Sequence, residues 1–463
     1  MSVITRFAPS PTGMLHIGSV RTAIFSYLYA KQHNGKFLLR IEDTDKERST
    51  QQAVDVILKG MRLLGLNWDG DEVYQSKNEE KHRDFAIDLV NRGLAYYAFD
   101  TKEELEEMRL VAQSQSKAFV YRANPDSLKE RKDVKPVVRL NVKAVCKEKI
   151  IVNDIVKGNV EFDADNIEDF VILRSDLTPT YMLAVVVDDI NMNVTHIIRG
   201  DDHLTNTPKQ ILLYMACGER VPYFAHIPLI HDSKGQKLSK RKGAAAVEEY
   251  IAMGFLPDAL LNYLVKLGWS CGEKEYFSKE EMIKLFDLSK VSLSPARFDI
   301  DKLLNINLFY ISRLSGEGLI EKLKPSLEKH INRKLTNIEI ERLLKISSEL
   351  KKNKNLVDIE LMSKAYLESD FVYSQNAIDL INHKKDIISK LYNYFSNISQ
   401  SANHDFKTLF NDFLTNEGLS FKDVGPVFRS CLIGDTTSTA LGEIFNAFGL
   451  TEVVKRLNLA ISL

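Results

Sequence analysis

At 463 residues the chain is too long for a single hydrophobic core, and its length alone suggests roughly two to four domains. It is 44% hydrophobic and 27% charged, with a formal net charge of −1. That balance excludes a broad positive field for nucleic acid, so a polyanion would have to be held by local patches. The opening "MSVITRFAPS" lacks the pattern of a secretory signal. No apolar run approaches the roughly 20 residues of a membrane span, so a cytoplasmic protein is expected. Cys146, Cys217, Cys271 and Cys431 lie far apart with no C-x-x-C pair, which argues against both a disulfide framework and a thiolate zinc site.

The first element is a short β-type run, "VITRFA", followed by the loop "PSPTG". From Ile17, apolar residues recur at helical spacing through Val20, Ile24, Tyr27 and Leu28, and Gly35 supplies a C-terminal stop. "KFLLRIED" reads as a second strand and Gln52 to Leu64 as a second amphipathic helix. This alternation opens a doubly wound, Rossmann-like parallel α/β sheet. Residues of about 84–180 differ. The segments "HRDFAIDLVNRGLAYYAF" and "KEELEEMRLVAQS" predict helices, and "PVVRLNV" and "IIVNDIVKGNVEF" have the alternation of an antiparallel sheet. The stretch reads as an α+β insertion. The parallel sheet then resumes, with "TYMLAVVVDDI", "VTHIIRGDDH" and "HIPLIHD" as apolar strands and "TPKQILLYMACG" as a helix. From about 245 onward nearly everything is helical, and "NISQSANHD" is a polar loop within that region.

Ligands of open α/β sheets bind outside the carboxyl ends of the strands. The polar residues expected there are Arg6, Ser10, His16, Gly18, Glu42, Asp43, Asp45, Tyr181, Arg199, Asp201, Asp202 and His203. The set is rich in charge but has no serine–histidine or cysteine–histidine couple suited to covalent catalysis. His16 and Gly18 stand at a helix start, where free N–H groups and a partial positive charge attract phosphate. An isolated H-x-G is usually no more than a loop histidine and a tight turn. A second feature changes its weight. "DSKGQKLSKRKGA" (232–244) sets Lys234, Lys237, Lys240, Arg241 and Lys242 between Gly235 and Gly243, with a hydroxyl at Ser239, just after the last sheet-like strand. A basic run alone is commonly a solvated loop. Here the glycines at both ends are hinges, and a loop of ammonium groups can close over a triphosphate and neutralise charge that builds as pyrophosphate leaves.

"HIGS" (16–19) and "KLSKR" (237–241) resemble the two signature motifs of class I aminoacyl-tRNA synthetases. "RFAPSPTGMLHIGSVRTA" with "RIEDTD" (40–45) is similar to the glutamate branch, and the likeness extends through "YMLAVVVDD", "HIIRGDDHLTNTPKQ", "GFLPDALLNYLVKLGW" and "FDIDKLLNIN". The resemblance implies that glutamate and ATP share the sheet crevice. Arg6 would meet the side-chain carboxylate of glutamate beside Tyr181, with Ala8 and Ser10 lining the pocket. Bidentate arginine recognition makes this chemically sound. Glu42 suits the substrate ammonium and Arg199 a carboxylate, an internal ion pair being the other reading of both. His16, Gly18, Lys237, Ser239, Lys240 and Arg241 would bind ATP. Of these, His16, Gly18, Lys237 and Lys240 would serve the reaction itself.

The resemblance also implies an organisation. Residues 1–83 and 181–232 would form the catalytic domain, and 84–180 an insertion gripping the tRNA acceptor stem. Residues 233–310 would be a stem-contact helical region carrying the basic loop. The segments 311–375 and 376–463 would be all-α anticodon-binding domains. Lys352, in the basic stretch "ELKKNKNL", is expected near the anticodon. The partners implied are L-glutamate, ATP with Mg²⁺, and tRNA(Glu), with no membrane, and the protein is expected to be a monomer. Some relatives bind zinc through a cysteine cluster in the insertion. "LAYYAFDTKEE" has no cysteine, so no zinc is expected. Asp201 stands where many relatives have glutamate, and its role stays open. Charging of tRNA(Gln) as well is an alternative, as is a catalytically inactive tRNA-binding or regulatory paralogue. A related enzyme that glutamylates a modified tRNA base lacks the helical C-terminal domains, which the residues after Asn307 count against.

Overall fold

A computed structural model describes residues 2–11, 15–45, 47–238, 245–367, 372–399, 405–436 and 439–463. It divides into two compact units, one of Met1–Glu249 with Leu260–Asp299 and the other of Tyr250–Ala259 with Ile300–Leu463.

The first unit opens with β1 (Ile4–Phe7), α1 (Ile17–Gln32), β2 (Lys36–Ile41), α2 (Gln51–Leu63) and β3 (Val73–Tyr74). Next come α3 (Glu79–Asn91), β4 (Ala95–Ala98), α4 (Lys102–Ser114), β5 (Val137–Leu140), α5 (Val142–Val145) and the hairpin β6 (Lys149–Asp154) and β7 (Gly158–Asp163). The chain continues through β8 (Val171–Leu173), α6 (Tyr181–Asn191), β9 (His196–Gly200), α7 (Thr207–Cys217), β10 (Tyr223–Ile227) and β11 (Ile230–His231). Among the described residues the main sheet has seven strands in the order β3-β2-β1-β9-β10-β6-β7. Every pairing in it is parallel except β6 with β7. Strand order reverses at β1, which pairs β2 on one side and β9 on the other. A doubly wound sheet places its ligand crevice at such a point.

Three features depart from the sequence reading. "TYMLAVVVDDI" is not a strand but helix α6, buried from Leu183 to Asp189. A helix covered on all sides has no polar stripe, so its β-branched run imitates a buried strand. "AYYA" ends no helix; it is β4, in an antiparallel β4-β5-β8 sheet. The β6–β7 hairpin does not join that small sheet but extends the edge of the main one. At the stop after α1, Asn34, at φ 52°, makes the left-handed turn, while Gly35 passes so close to β1 that a Cβ would lie 2.0 Å from the Val3 carbonyl oxygen.

Helix α1 packs on β1 and β9. On α3, α6 and α7, Leu89, Val186, Leu212 and Leu213 form a buried core with Ile197 of β9 and Phe224 of β10. Further helices follow at Val247–Ala252 (α8), Pro257–Lys266 (α9) and Lys279–Leu285 (α10), and β12 (Ala296–Arg297) pairs with β11. Trp269 and Phe286 are buried with Phe25 of α1, ring centroids 5.0–5.6 Å apart in the Phe25–Phe286 and Trp269–Phe286 pairs.

The second unit is helical: α11 (Ile300–Arg313), α12 (Gly316–Ile331), α13 (Asn337–Lys345), α14 (Ser347–Leu350), α15 (Leu356–Lys364), α16 (Gln375–His383), α17 (Lys385–Ser396), α18 (Phe406–Glu417), α19 (Phe421–Ile433) and α20 (Leu441–Ile461), the last broken at Gly449. Phe395, Phe410 and Phe428 stack in its core. Asn307 is fully buried. Its Oδ1 accepts from Leu256 N at 2.8 Å, and its Nδ2 donates to the Lys354 carbonyl at 2.7 Å. The loop expected at "NISQSANHD" lies largely outside the described residues.

Candidate active site at the sheet crevice

A cleft of about 670 Å³ opens at the carboxyl ends of β1 and β9. Arg6, Ala8, Ser10, His16, Gly18, Glu42, Tyr181, Arg199 and Lys237 all line it, together with Arg21, Asp202 and His203. Ser239, Lys240 and Arg241 lie outside the described residues. Lys352 belongs to the second unit, in a turn after α14, where its exposed Nζ donates to Glu349 at 2.6 Å.

The start of α1 forms one wall of the cleft. His16 is the N-cap, and its Nδ1 accepts from Ser19 N at 3.4 Å. A Cβ on Gly18 would come within 3.1 Å of the imidazole Cε1 and Nδ1, so glycine is what lets the ring fold over the first turn. No acidic residue occupies that turn, which leaves its partial positive charge uncancelled.

The floor is a buried run of alternating charge. Arg6 Nε donates to Asp189 Oδ1 at 3.1 Å, Arg40 Nη1 donates to the same oxygen, and Arg40 Nη2 donates to Glu42 at 3.1 Å. Burial works to raise the Asp189 carboxyl, but Arg40 and Arg6 together hold it below the usual range. Among the described residues Glu42 has one guanidinium contact, with Arg40, and burial pushes its carboxyl up. The internal ion pair weighed for Glu42 is therefore present, although the residue still faces the cleft. Sequence reasoning missed Arg40 and Asp189. The tandem acids after the apolar run of α6 were the available signal.

Arg199 is held differently. Nε donates to His226 Nε2 at 3.2 Å, and Nη2 donates to Thr207 Oγ1 at 2.8 Å and the His203 carbonyl at 3.4 Å. None of these acceptors is a carboxylate, and buried Nη1 has no partner among the described residues. Burial lowers the guanidinium pKa to about 10. The Tyr181 hydroxyl, 3.3 Å from His203 Nδ1, is pushed up to about 12 by burial and then by Glu42, so it remains a hydrogen-bond donor.

At the mouth, Asp232 Oδ1 accepts from Lys234 N and Gln236 N, which turns the chain back so that Leu238 N donates to the Ile230 carbonyl. Lys237 Nζ donates to Asp202 at 3.0 Å. Asp201 accepts from Lys157 at 3.0 Å, whereas Asp202 lines the cleft. Among the described residues no group of histidine, cysteine and carboxylate side chains could hold a metal ion.

Sheet order, crevice and helix start together define an α/β protein with a charged cleft at the strand ends. Residues 2–305 match the family model of the class I tRNA synthetase (E and Q) catalytic domain, and residues 318–461 match an anticodon binding domain model. The chain belongs to the class I tRNA synthetase (E and Q) family. It is 42% identical to Glutamate–tRNA ligase 1 of Rickettsia canadensis over 99% of each chain. It is 53% identical to Glutamate–tRNA ligase 1 of Beijerinckia indica over 70% of this chain and 69% of the relative. The solved structure of a glutamate tRNA ligase from Elizabethkingia meningosepticum, in complex with its amino acid, superposes with a TM-score of 0.85 at 29% identity, covering 100% of this chain and 99% of that one.

Proposed function

We propose that the chain is a glutamate–tRNA ligase that activates L-glutamate with ATP and transfers it to the 3′ end of tRNA(Glu). One observation carries this reading: Arg6, Arg199 and Glu42 converge on a single cleft that also holds a helix N-terminus with no acidic residue in its first turn. Glutamate has two carboxylates and one ammonium, and ATP brings the phosphates. Arg6 takes the side-chain carboxylate with Tyr181 donating beside it, Arg199 takes the other carboxylate, and Glu42 takes the ammonium. Ala8 and Ser10 fill the pocket wall.

In the first step an α-carboxylate oxygen attacks the α-phosphorus of ATP, and the bond to pyrophosphate breaks. His16, Gly18, Lys237, Ser239, Lys240 and Arg241 hold the phosphates and balance the charge that gathers on the leaving group. In the second step the 2′-hydroxyl of the terminal adenosine of tRNA takes the glutamyl group and AMP departs. The chain's contribution is alignment and electrostatics. Mg²⁺ enters as part of the ATP substrate.

Residues 84–180 would contact the acceptor stem, 233–310 the stem beside the basic loop, and 311–375 and 376–463 the anticodon, with Lys352 among the contacts. Phosphate contacts position the RNA while exposed bases identify it. The same reading describes a zinc-free monomer of the cytoplasm. The deciding experiment is aminoacylation of purified tRNA(Glu) and tRNA(Gln) in parallel, with ATP–pyrophosphate exchange alongside. Glutamate charging of tRNA(Glu) is expected. A chain that neither charges nor exchanges is the inactive paralogue, and charging of both tRNAs marks an enzyme that does not discriminate.

A further inference from the structure

Behind Arg199 lies a buried pair that the reaction scheme leaves unused. Asp154 ends β6, His226 lies in β10 and Arg199 in β9, and these three strands are adjacent. Arg199 and His226 are register partners, so their side chains rise from the same face of the sheet. Asp154 Oδ2 accepts from His226 Nδ1 at 2.6 Å and from His226 N at 3.0 Å. Its Oδ1 accepts from Val156 N at 2.9 Å and Lys157 N at 2.7 Å. A carboxylate surrounded by donors can only accept from Nδ1, so the imidazole hydrogen belongs there and Nε2 presents a lone pair. Burial also holds His226 below the usual histidine range, which keeps the ring neutral. Arg199 Nε–H points at that lone pair from 3.2 Å, while Thr207 Oγ1, which accepts from Arg199 Nη2, lies 3.0 Å from the same Nε2 and 3.2 Å from the His203 carbonyl.

The consequence is a separation of two tasks. A carboxylate placed directly against Arg199 would orient the guanidinium but also neutralise it. Here the negative charge stands one side chain back, and every hydrogen-bond partner of Arg199 among the described residues is a neutral acceptor. We propose that Asp154 and His226 are positioning residues for Arg199. Through one fixed imidazole tautomer they aim the guanidinium and leave its charge for a substrate carboxylate.

This inference rests on Arg199 acting as a carboxylate ligand in glutamate charging, and the test is aminoacylation kinetics on the full chain with tRNA(Glu). His226→Asn can still donate to Asp154 but is too short to reach Arg199. It should raise KM for glutamate on the order of tenfold or more while KM for ATP stays within about twofold, as expected from losing one hydrogen bond to a charged group. His226→Gln puts a carbonyl oxygen near the position of Nε2 and should recover most of the glutamate KM. Asp154→Asn frees the tautomer and should resemble His226→Asn. Equal effects of the Asn and Gln variants, or parallel rises in both KM values, would reduce the pair to a structural role and overturn the inference. If the His226 and Asp154 variants fail to fold, Thr207→Val decides, since it removes both an acceptor of Arg199 and the hydroxyl that shares His226 Nε2 with it, while Asp154 keeps its bond to His226 Nδ1. A glutamate KM unchanged in that variant also overturns it. A wild-type chain that does not charge tRNA with glutamate removes the functional reading, and this inference with it.

Discussion

Arg6 and Arg199 face the same cleft with opposite surroundings. Arg6 shares Asp189 with Arg40, which also pairs with Glu42, so the two guanidiniums at the floor stand against two carboxylates. Lysine at position 6 would keep the charge but lose the planar fork, and the two are not equivalent at a bidentate site. Arg6→Lys should therefore raise KM for glutamate by on the order of 10²-fold, with KM for ATP little changed. A lysine variant with wild-type glutamate KM would take Arg6 out of substrate recognition. Away from the cleft, His196 stacks on Tyr223 and packs beside Tyr29, ring centroids 5.0 Å away in both cases. Burial, followed by His33 and Arg220, lowers its pKa to about 4 from 6.5. Between these values the unfolded chain binds a proton that the folded chain does not. The stability contributed is complete above pH 6.5 and is lost as the pH falls toward about 4. His196→Phe keeps the stack without the proton. The difference in Tm between variant and wild type should shift in the variant's favour from pH 7.5 to pH 5. A difference independent of pH would refute the assignment.

At the level of elements, the approach of Gly35 to Val3 governs how β1 and β2 begin to pair, because the first register pair, Ile4 with Lys36, follows at once. Gly35→Ala sets a methyl against backbone that cannot yield, at a cost on the order of 3 kcal/mol. The measurement is the urea midpoint, and an alanine variant with an unchanged midpoint would contradict the packing described. The same element shows what the sequence made legible. Helical spacing from Ile17 and the strand pattern of "KFLLRIED" are strong period signals, and the structure has α1 and β2 there. Gly35 does mark the stop, its N donating to the Ala30 carbonyl at 2.8 Å, but the left-handed turn falls on Asn34 and the close approach to Val3 leaves no mark in local sequence. Helix α6 was hidden for a related reason. Burial on every side erased the periodicity, which shifted Tyr181 from a helix start to an imagined strand end. Arg6, His16, Glu42 and Arg199 were found because charge at a strand end or helix start is conspicuous. Asp154, His226 and Asp189 were not found, because a lone buried histidine or acid looks like ordinary core until its neighbours across the sheet are known.

At the scale of the whole molecule, the division into units does not follow the linear order of the chain. Tyr250–Ala259 belongs to the second unit although Leu260–Asp299 returns to the first. Within the second unit, Asn307 ties this short segment to later helices. It accepts from Leu256 N and donates to the carbonyls of Gly254 and Lys354, while Leu356 N donates to the Gly254 carbonyl at 2.9 Å. Asn307→Ala takes the side-chain partner from the buried Leu256 amide and the Lys354 carbonyl, while the Gly254 carbonyl keeps Leu356 N, and should cost about 2–3 kcal/mol of stability, read by calorimetry. Glutamate and ATP KM should be unchanged at temperatures where the variant is folded. A variant that unfolds like wild type would mean that water replaces the lost amide.

The out-of-order segment also has a consequence for how the chain is made. A ribosome finishes residues 250–259 well before it reaches Asn307, Lys354 and Leu356, which complete their hydrogen bonding. At ordinary elongation rates that interval lasts on the order of 5–20 s. During it, Phe255 and Leu256, both buried in the finished protein, have no native cover from the later helices of their unit. The nascent chain therefore carries a timed apolar window between two folding events, which is when a chaperone would bind and when a slowed ribosome would favour aggregation.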